Sequence, residues 1–187
     1  MSLYTWTDWG LIRAIGDYAL TYNKGDIVEF GMGQSTVVIS ELANHHGRKS
    51  FHCDINPASG HLVKSTNAEI FICKTNAFFD EVKLPPIAFA FIDAWHEYKQ
   101  VRQDFFNLFP FMVDNGYILL HDTYPPNKEF TGINWCFNAY LLRQELEKLD
   151  TVDCHTFVWD GRPSMSDKGC GLTMVRKKPS NLPEYQK

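Results

Sequence analysis

Short apolar runs alternate along the chain with longer stretches in which apolar residues recur every three or four positions. The short runs predict buried strands, and the 3.6-residue period predicts helices packed over them. A leading helix over 8–22 precedes a first strand at Asp26–Phe30 and a helix over 34–46. A second strand over 49–54 runs toward a helix opening near Pro57, where proline suits a first turn. Strands over 69–74 and 87–93 follow, and the unbroken apolar run Ile87–Ile92 marks the latter as central, covered by helices on both faces. Tyr98, Val101, Phe105, Leu108 and Met112 keep helical spacing; beyond a turn at Asn115 and Gly116, a fifth strand is predicted over 117–120. A helix over 134–149, a strand over 152–159, a turn rich in Gly, Pro and Ser over 161–169 and a strand over 171–176 complete the pattern.

This alternation predicts a doubly wound, Rossmann-like α/β fold: a mostly parallel sheet with helices on both faces. The last two strands have no helix between them and should pair antiparallel, so the sheet should end in a hairpin. No repeat or low-complexity linker interrupts the 187 residues, which read as one domain. Residues 1–24 form a helical lead-in, and 178–187 a frayed tail.

Charge and cysteine content narrow the function. Eighteen Lys and Arg against 22 Asp and Glu leave a net charge of −4, without the basic excess that phosphate-backbone binding requires, so a nucleic-acid partner is not expected. Neither is a membrane, since no apolar run approaches bilayer length. Cys53, Cys73, Cys136, Cys154 and Cys170 are odd in number and form no CxxC pair. They predict reduced, buried thiols in a reducing compartment, most simply the cytoplasm.

The candidate chemistry begins at the first strand-to-helix turn, Glu29-Phe30-Gly31-Met32-Gly33-Gln34-Ser35-Thr36. Gly31 and Gly33 allow a tight turn with backbone amides facing a ligand, and the helix start favours an anionic group. Asp54, closing the second strand, stands where a carboxylate accepts from both hydroxyls of a ribose. Together they predict a nucleoside site. A dinucleotide fingerprint would place a third glycine at Thr36, so NAD fits poorly. Glu29 suits a ligand carrying an ammonium group. S-adenosylmethionine has an adenosine, an ammonium and a carboxylate.

With this turn, Phe91-Ile92-Asp93-Ala94-Trp95-His96-Glu97-Tyr98, Asn115-Gly116-Tyr117-Ile118-Leu119-Leu120-His121-Asp122 and the closing Gly171-Leu172-Thr173, the chain resembles class I S-adenosylmethionine-dependent methyltransferases. Within that class it is most similar to small-molecule O-methyltransferases of the catechol, macrolide-sugar and cephalosporin types. The resemblance implies a seven-stranded sheet, cofactor contacts from Glu29, Gly31, Gly33, Ser35, Thr36, Asp54, Asn76 and Trp95, and Mg²⁺ held by Asp93 and Asp122. The catechol enzymes carry Asn after the second acid and a Lys base three residues after the first; this chain has Thr123 and His96 there. His96 is thus the first candidate base and His121 the second. The implied acceptor is a hydroxyl of a small molecule or sugar, with Phe130, Trp135, Phe137, Trp6 and Trp9 as candidate pocket aromatics. The pocket is either open or completed by a second subunit, a homodimer joined through the aromatic N-terminal segment. An NAD-binding oxidoreductase and a non-catalytic nucleoside-binding module of the same fold are the rival readings.

Overall fold

In the computed structural model, which describes residues 8–158 and 170–180, the predicted alternation is realised as a seven-stranded sheet of order β3-β2-β1-β4-β5-β7-β6. The strands are β1 Asp26–Phe30, β2 Ser50–Asp54, β3 Ala68–Ile72, β4 Ile87–Ile92, β5 Met112–His121, β6 Val152–Phe157 and β7 Leu172–Lys177. The first five pair in parallel, and β7 runs antiparallel to both β5 and β6. Helices α1 Asp8–Tyr22, α2 Gln34–His46, α3 Thr75–Glu81, α4 Tyr98–Leu108 and α5 Tyr140–Leu146 fill the connections.

Every residue of β4 is buried, and its period of two divides the core. Ala90 and Ile92 join Val28, Phe30, Ile118 and Leu120 on one face, beneath Phe78 of α3, Val101 and Phe105 of α4 and Leu142 of α5. Phe89 and Phe91 join Ile27 and Leu119 on the other, against Ile12 of α1 and Ile39 and Leu42 of α2.

Four boundaries differ from expectation. Asn115 and Gly116 form no turn before β5. They lie within it, where the register with β4 slips between Ile87 and Phe89, and Asn115 has φ 61°; a bulge lets the strand begin at Met112. Between the third and fourth strands, where the sequence pattern marks no element, Thr75–Glu81 form the short helix α3. The helix near Pro57 is a 3₁₀ segment, Pro57–Leu62, capped by Asn56. The helix expected over 134–149 is reduced to α5, because Phe137 takes φ 44° and residues 132–139 turn instead.

The cysteine expectation is corrected at two positions. Cys136, in that turning segment, and Cys170, just before β7, form a disulfide across 34 residues, while Cys53, Cys73 and Cys154 remain free. An odd cysteine count and the spacing along the chain gave no sign of it; the pair meets because β7 returns beside β5 and brings Cys170 under the loop that follows β5. The inference of a reducing compartment loses its premise with it. Among the described residues, no helix is long and apolar enough to cross a membrane. Trp6, Trp159, the turn over 161–169 and the end of the tail, 181–187, lie outside the described residues.

Candidate active site

The strand order reverses between β1 and β4, and the crevice beyond the carboxyl ends of these two strands is where an open α/β sheet binds ligands. A cavity of about 460 Å³ occupies it, lined by Gly31, Met32, Gly33, Asp54, Ile55, Lys74, Thr75, Asp93, Trp95 and Gln100 among others. Gly31 has φ +87°, and a Cβ there would fall 2.1 Å from the Asp93 carbonyl oxygen, so only glycine lets the β1 turn pass so close to the end of β4. A Cβ at Gly33 would meet nothing within 4 Å, so this position leaves open space beside a ligand.

The turn is bonded internally. Its amides are not bare: Gly31 N donates to Cys53 O (2.9 Å), Met32 N to Asp54 Oδ2 (2.6 Å) and Gly33 N to Thr36 Oγ1 (3.0 Å). Glu29 is fully buried. It accepts from Ser35 Oγ (2.7 Å) and Thr36 Oγ1 (3.1 Å), and its second oxygen lies 2.7 Å from His52 Nδ1. Glu29, Ser35 and Thr36 therefore brace the turn from beneath and do not line the cavity. A buried carboxylate requires such partners, and the octapeptide alone could not reveal His52 as one of them. Asp54 does reach the cavity; with one oxygen on Met32 N and the other on Asn56 N (2.7 Å), its orientation is locked while lone pairs remain for a ribose. Trp95 is half exposed at the mouth. Asn76 stands on the first turn of α3, next to the lining residues Lys74 and Thr75, 3.3 Å from Gln100 Nε2. Gln100, absent from the sequence reading, also bonds Thr75 Oγ1 (2.9 Å) and Asp104 Oδ1 (2.8 Å). The sequence reading held no signal for it.

At the Asp93 end, the structure gathers all four residues singled out for metal and base roles. Asp93, His96, His121 and Asp122 each offer a ligand atom, all within 4.8 Å of one another. Asp93 Oδ1 lies 3.1 Å from His96 Nε2 and 3.2 Å from His121 Nδ1; Asp122 Oδ1 lies 3.5 Å from His121 Nδ1, and Asp122 Oδ2 lies 3.6 Å from His96 Nδ1. Asp122 is held at φ 55°, a costly conformation for a residue other than glycine and one that clusters at functional sites. Each imidazole is oriented from outside. His96 Nδ1 donates to Trp135 O (2.8 Å), and His121 Nε2 lies 3.2 Å from Asp8 Oδ2. Asp8, distant in sequence, left no signal there.

Burial alone would raise the Asp93 pKa, but His121 and His96 outweigh it and hold the carboxyl well below its usual range. Burial alone would lower both histidines; Asp93, helped by Trp135 O and Asp122, raises His96 instead, while Asp93, Asp122 and Asp8 raise His121 well above its ordinary value. Two hard carboxylates fit a divalent cation, and the imidazole nitrogens among them add donors that softer cations accept. Of the aromatics, Trp9 stacks on His121 with centroids 6.3 Å apart, and Phe130 packs on Trp135 at 5.2 Å, with Trp135 partly exposed. Phe137 lies in the segment tethered by Cys136.

A sequence model of a family described as a methyltransferase domain matches residues 28–123. Comparison with curated protein sequences finds no significant match. Among solved structures, the chain resembles a putative caffeoyl-CoA O-methyltransferase from Staphylococcus aureus (TM-score 0.67, 12% identity, 89% of this chain and 82% of that one). It also resembles an rRNA methylase from Streptococcus thermophilus (TM-score 0.67, 12% identity, 94% and 99%). A third is the MycE methyltransferase of the mycinamycin biosynthetic pathway in complex with Mg and SAH (TM-score 0.63, 16% identity, 99% of this chain and 54% of that one). At these identities the likeness is one of fold.

Proposed function

The chain belongs to the methyltransferase-domain family, with the class I S-adenosylmethionine-dependent fold, and from that premise we propose that it methylates a hydroxyl of a small molecule or sugar with the help of a divalent cation. The observation that carries this reading is the cluster of Asp93, His96, His121 and Asp122, joined through Asp93 to the cavity that Asp54 also lines. The net charge of −4 favours a small acceptor over an RNA.

S-adenosylmethionine supplies the methyl group as a sulfonium, ready for direct displacement by an aligned nucleophile. Asp54 receives the ribose hydroxyls, Gly33 leaves room for the ligand's backbone and Trp95 covers the mouth. Asp93 and Asp122 would hold the cation, which lowers the pKa of a hydroxyl brought beside it; Mg²⁺ is the ion implied by the sequence resemblance. His96 takes the acceptor's proton. Its Nδ1 is committed to a carbonyl, which can only accept, so Nε2 is the nitrogen that gains and loses the proton. Asp93 Oδ1, 3.1 Å away, stabilises the imidazolium that forms. Positioning and electrostatics supply the rest of the rate.

Incubation with labelled S-adenosylmethionine and a panel of catechols, sugars and small alcohols, with and without EDTA, tests the reading. Label should pass to at least one hydroxyl and be lost with EDTA, and His96→Ala should slow turnover by roughly 10²-fold or more at unchanged S-adenosylhomocysteine affinity. Cofactor binding without transfer to any acceptor would favour the non-catalytic module, and transfer indifferent to EDTA would remove the cation.

A further inference from the structure

The two histidines of the cluster are not equivalent. His121 brings a single nitrogen, Nδ1, near both carboxylates, 3.2 Å from Asp93 Oδ1 and 3.5 Å from Asp122 Oδ1. His96 cannot do this: Nε2 faces Asp93, and only Nδ1, already bonded to Trp135 O, approaches Asp122. On its far side His121 Nε2 meets the Asp8 carboxylate at 3.2 Å. With a cation between the two carboxylates, Asp8 would keep the ring's proton on Nε2 and Nδ1 would face the ion, the carboxylate–imidazole relay that orients metal-binding histidines. Donor atoms about 2.0–2.2 Å from a common cation stand roughly 3.0–3.5 Å apart, the spacing of Nδ1 from each carboxylate oxygen here. The ring is further clamped by Trp9, stacked at 6.3 Å, and Phe91, edge-on at 6.0 Å.

We propose that His121 is a cation ligand together with Asp93 and Asp122, and that this one-nitrogen, two-carboxylate set selects a divalent transition metal such as Mn²⁺, Fe²⁺, Co²⁺ or Zn²⁺ over Mg²⁺. Magnesium favours oxygen donors and retains water, whereas imidazole binds the later divalent ions progressively more tightly. The inference rests on the cation-assisted reading above and refines it by naming the metal class, with Asp8 as a positioning residue behind the ligand.

The test uses the full chain stripped with chelator and then titrated with Mg²⁺, Mn²⁺ and Co²⁺ by calorimetry, with pulsed EPR of the Mn²⁺ form to detect coupling to an imidazole nitrogen. Mn²⁺ and Co²⁺ should bind at least tenfold more tightly than Mg²⁺, and the nitrogen coupling should be present. His121→Glu should abolish the coupling and move the preference toward Mg²⁺. Asp8→Asn, which leaves all three ligands in place, should weaken Co²⁺ binding by about tenfold or more. Equal affinity for Mg²⁺ and Mn²⁺, a coupling that survives in His121→Glu, or no ion bound at all overturns the proposal. S-adenosylhomocysteine binding and label transfer measured on the same samples keep its failure separate from failure of the methyl-transfer reading. Transfer that is supported by Mg²⁺ without a nitrogen ligand refutes only the metal class.

Discussion

Replacing Asp104 with asparagine should shift relative stability in the variant's favour by an amount that grows as the pH rises. The Asp104 side chain sits on α4 with no solvent exposure; Oδ1 accepts from Gln100 Nε2, while Oδ2 is buried without a hydrogen-bond partner. Burial pushes its pKa up to about 6, against the opposing pull of hydrogen bonds from Thr75 and Gln100. In the unfolded chain an aspartate titrates near 3.9. Between roughly pH 3.9 and 6 the folded protein keeps a proton that the unfolded chain has released. Stability is therefore lost as pH rises through this window, and the loss is complete above the folded value. At about 1.4 kcal/mol per unit, the cost is about 1.5 kcal/mol at pH 5 and about 3 kcal/mol at pH 7.5. Asparagine stays neutral and keeps an acceptor for Gln100, but its amide must also be housed, a penalty independent of pH. The informative quantity is thus the gap between variant and wild type, in which every other titrating group cancels. Thermal melts should show this gap widening by about 1.5 kcal/mol from pH 5 to pH 7.5, roughly 3–6 °C for a domain of this size. Parallel profiles would mean that Asp104 ionises normally, and the account of its burial would be wrong.

The two glycines of the β1 turn should separate folding from binding. Gly31→Ala forces a Cβ into the Asp93 backbone at a positive φ and should cost more than about 3 kcal/mol, seen as a collapse of the melting temperature. Gly33→Ala, with nothing within 4 Å of its Cβ, should melt like wild type yet bind S-adenosylhomocysteine at least tenfold more weakly in calorimetry; unchanged affinity would mean that this position faces no ligand. The disulfide makes a third prediction. Of the five cysteines, Cys53, Cys73 and Cys154 are free, so thiol titration of denatured, unreduced protein should count three thiols rather than five. Reducing the 34-residue tether should cost about 4 kcal/mol on a chain-entropy basis, read as a lower melting temperature in dithiothreitol. Melts that coincide with and without reductant would show that the tether contributes nothing.

Local pattern determined the strands and most helices of this protein, because burial on a sheet with two covered faces imposes continuous apolar runs such as Ile87–Ile92, and packing over it imposes the spacing of Val101, Phe105 and Leu108. The same local signals placed Gly31, Asp54, Asp93 and Asp122 at strand ends, where a doubly wound sheet puts its ligands. What lay beyond the sequence is every feature made by residues meeting across the fold. Glu29 was read as facing a ligand's ammonium group because a carboxylate stands just before the first glycine of the turn, but Ser35, Thr36 and, from the adjacent strand, His52 claim its oxygens and bury it. Cys136 and Cys170 join only because β7 inserts beside β5. The sequence ranked His96 before His121 as a base but gave neither ring an orientation. They became distinct once the Trp135 carbonyl claimed Nδ1 of one and Asp8, from the first helix, claimed Nε2 of the other. A hydrogen bond between residues far apart in the chain leaves no periodicity behind, so tertiary structure alone decided how each ring is held against the two carboxylates.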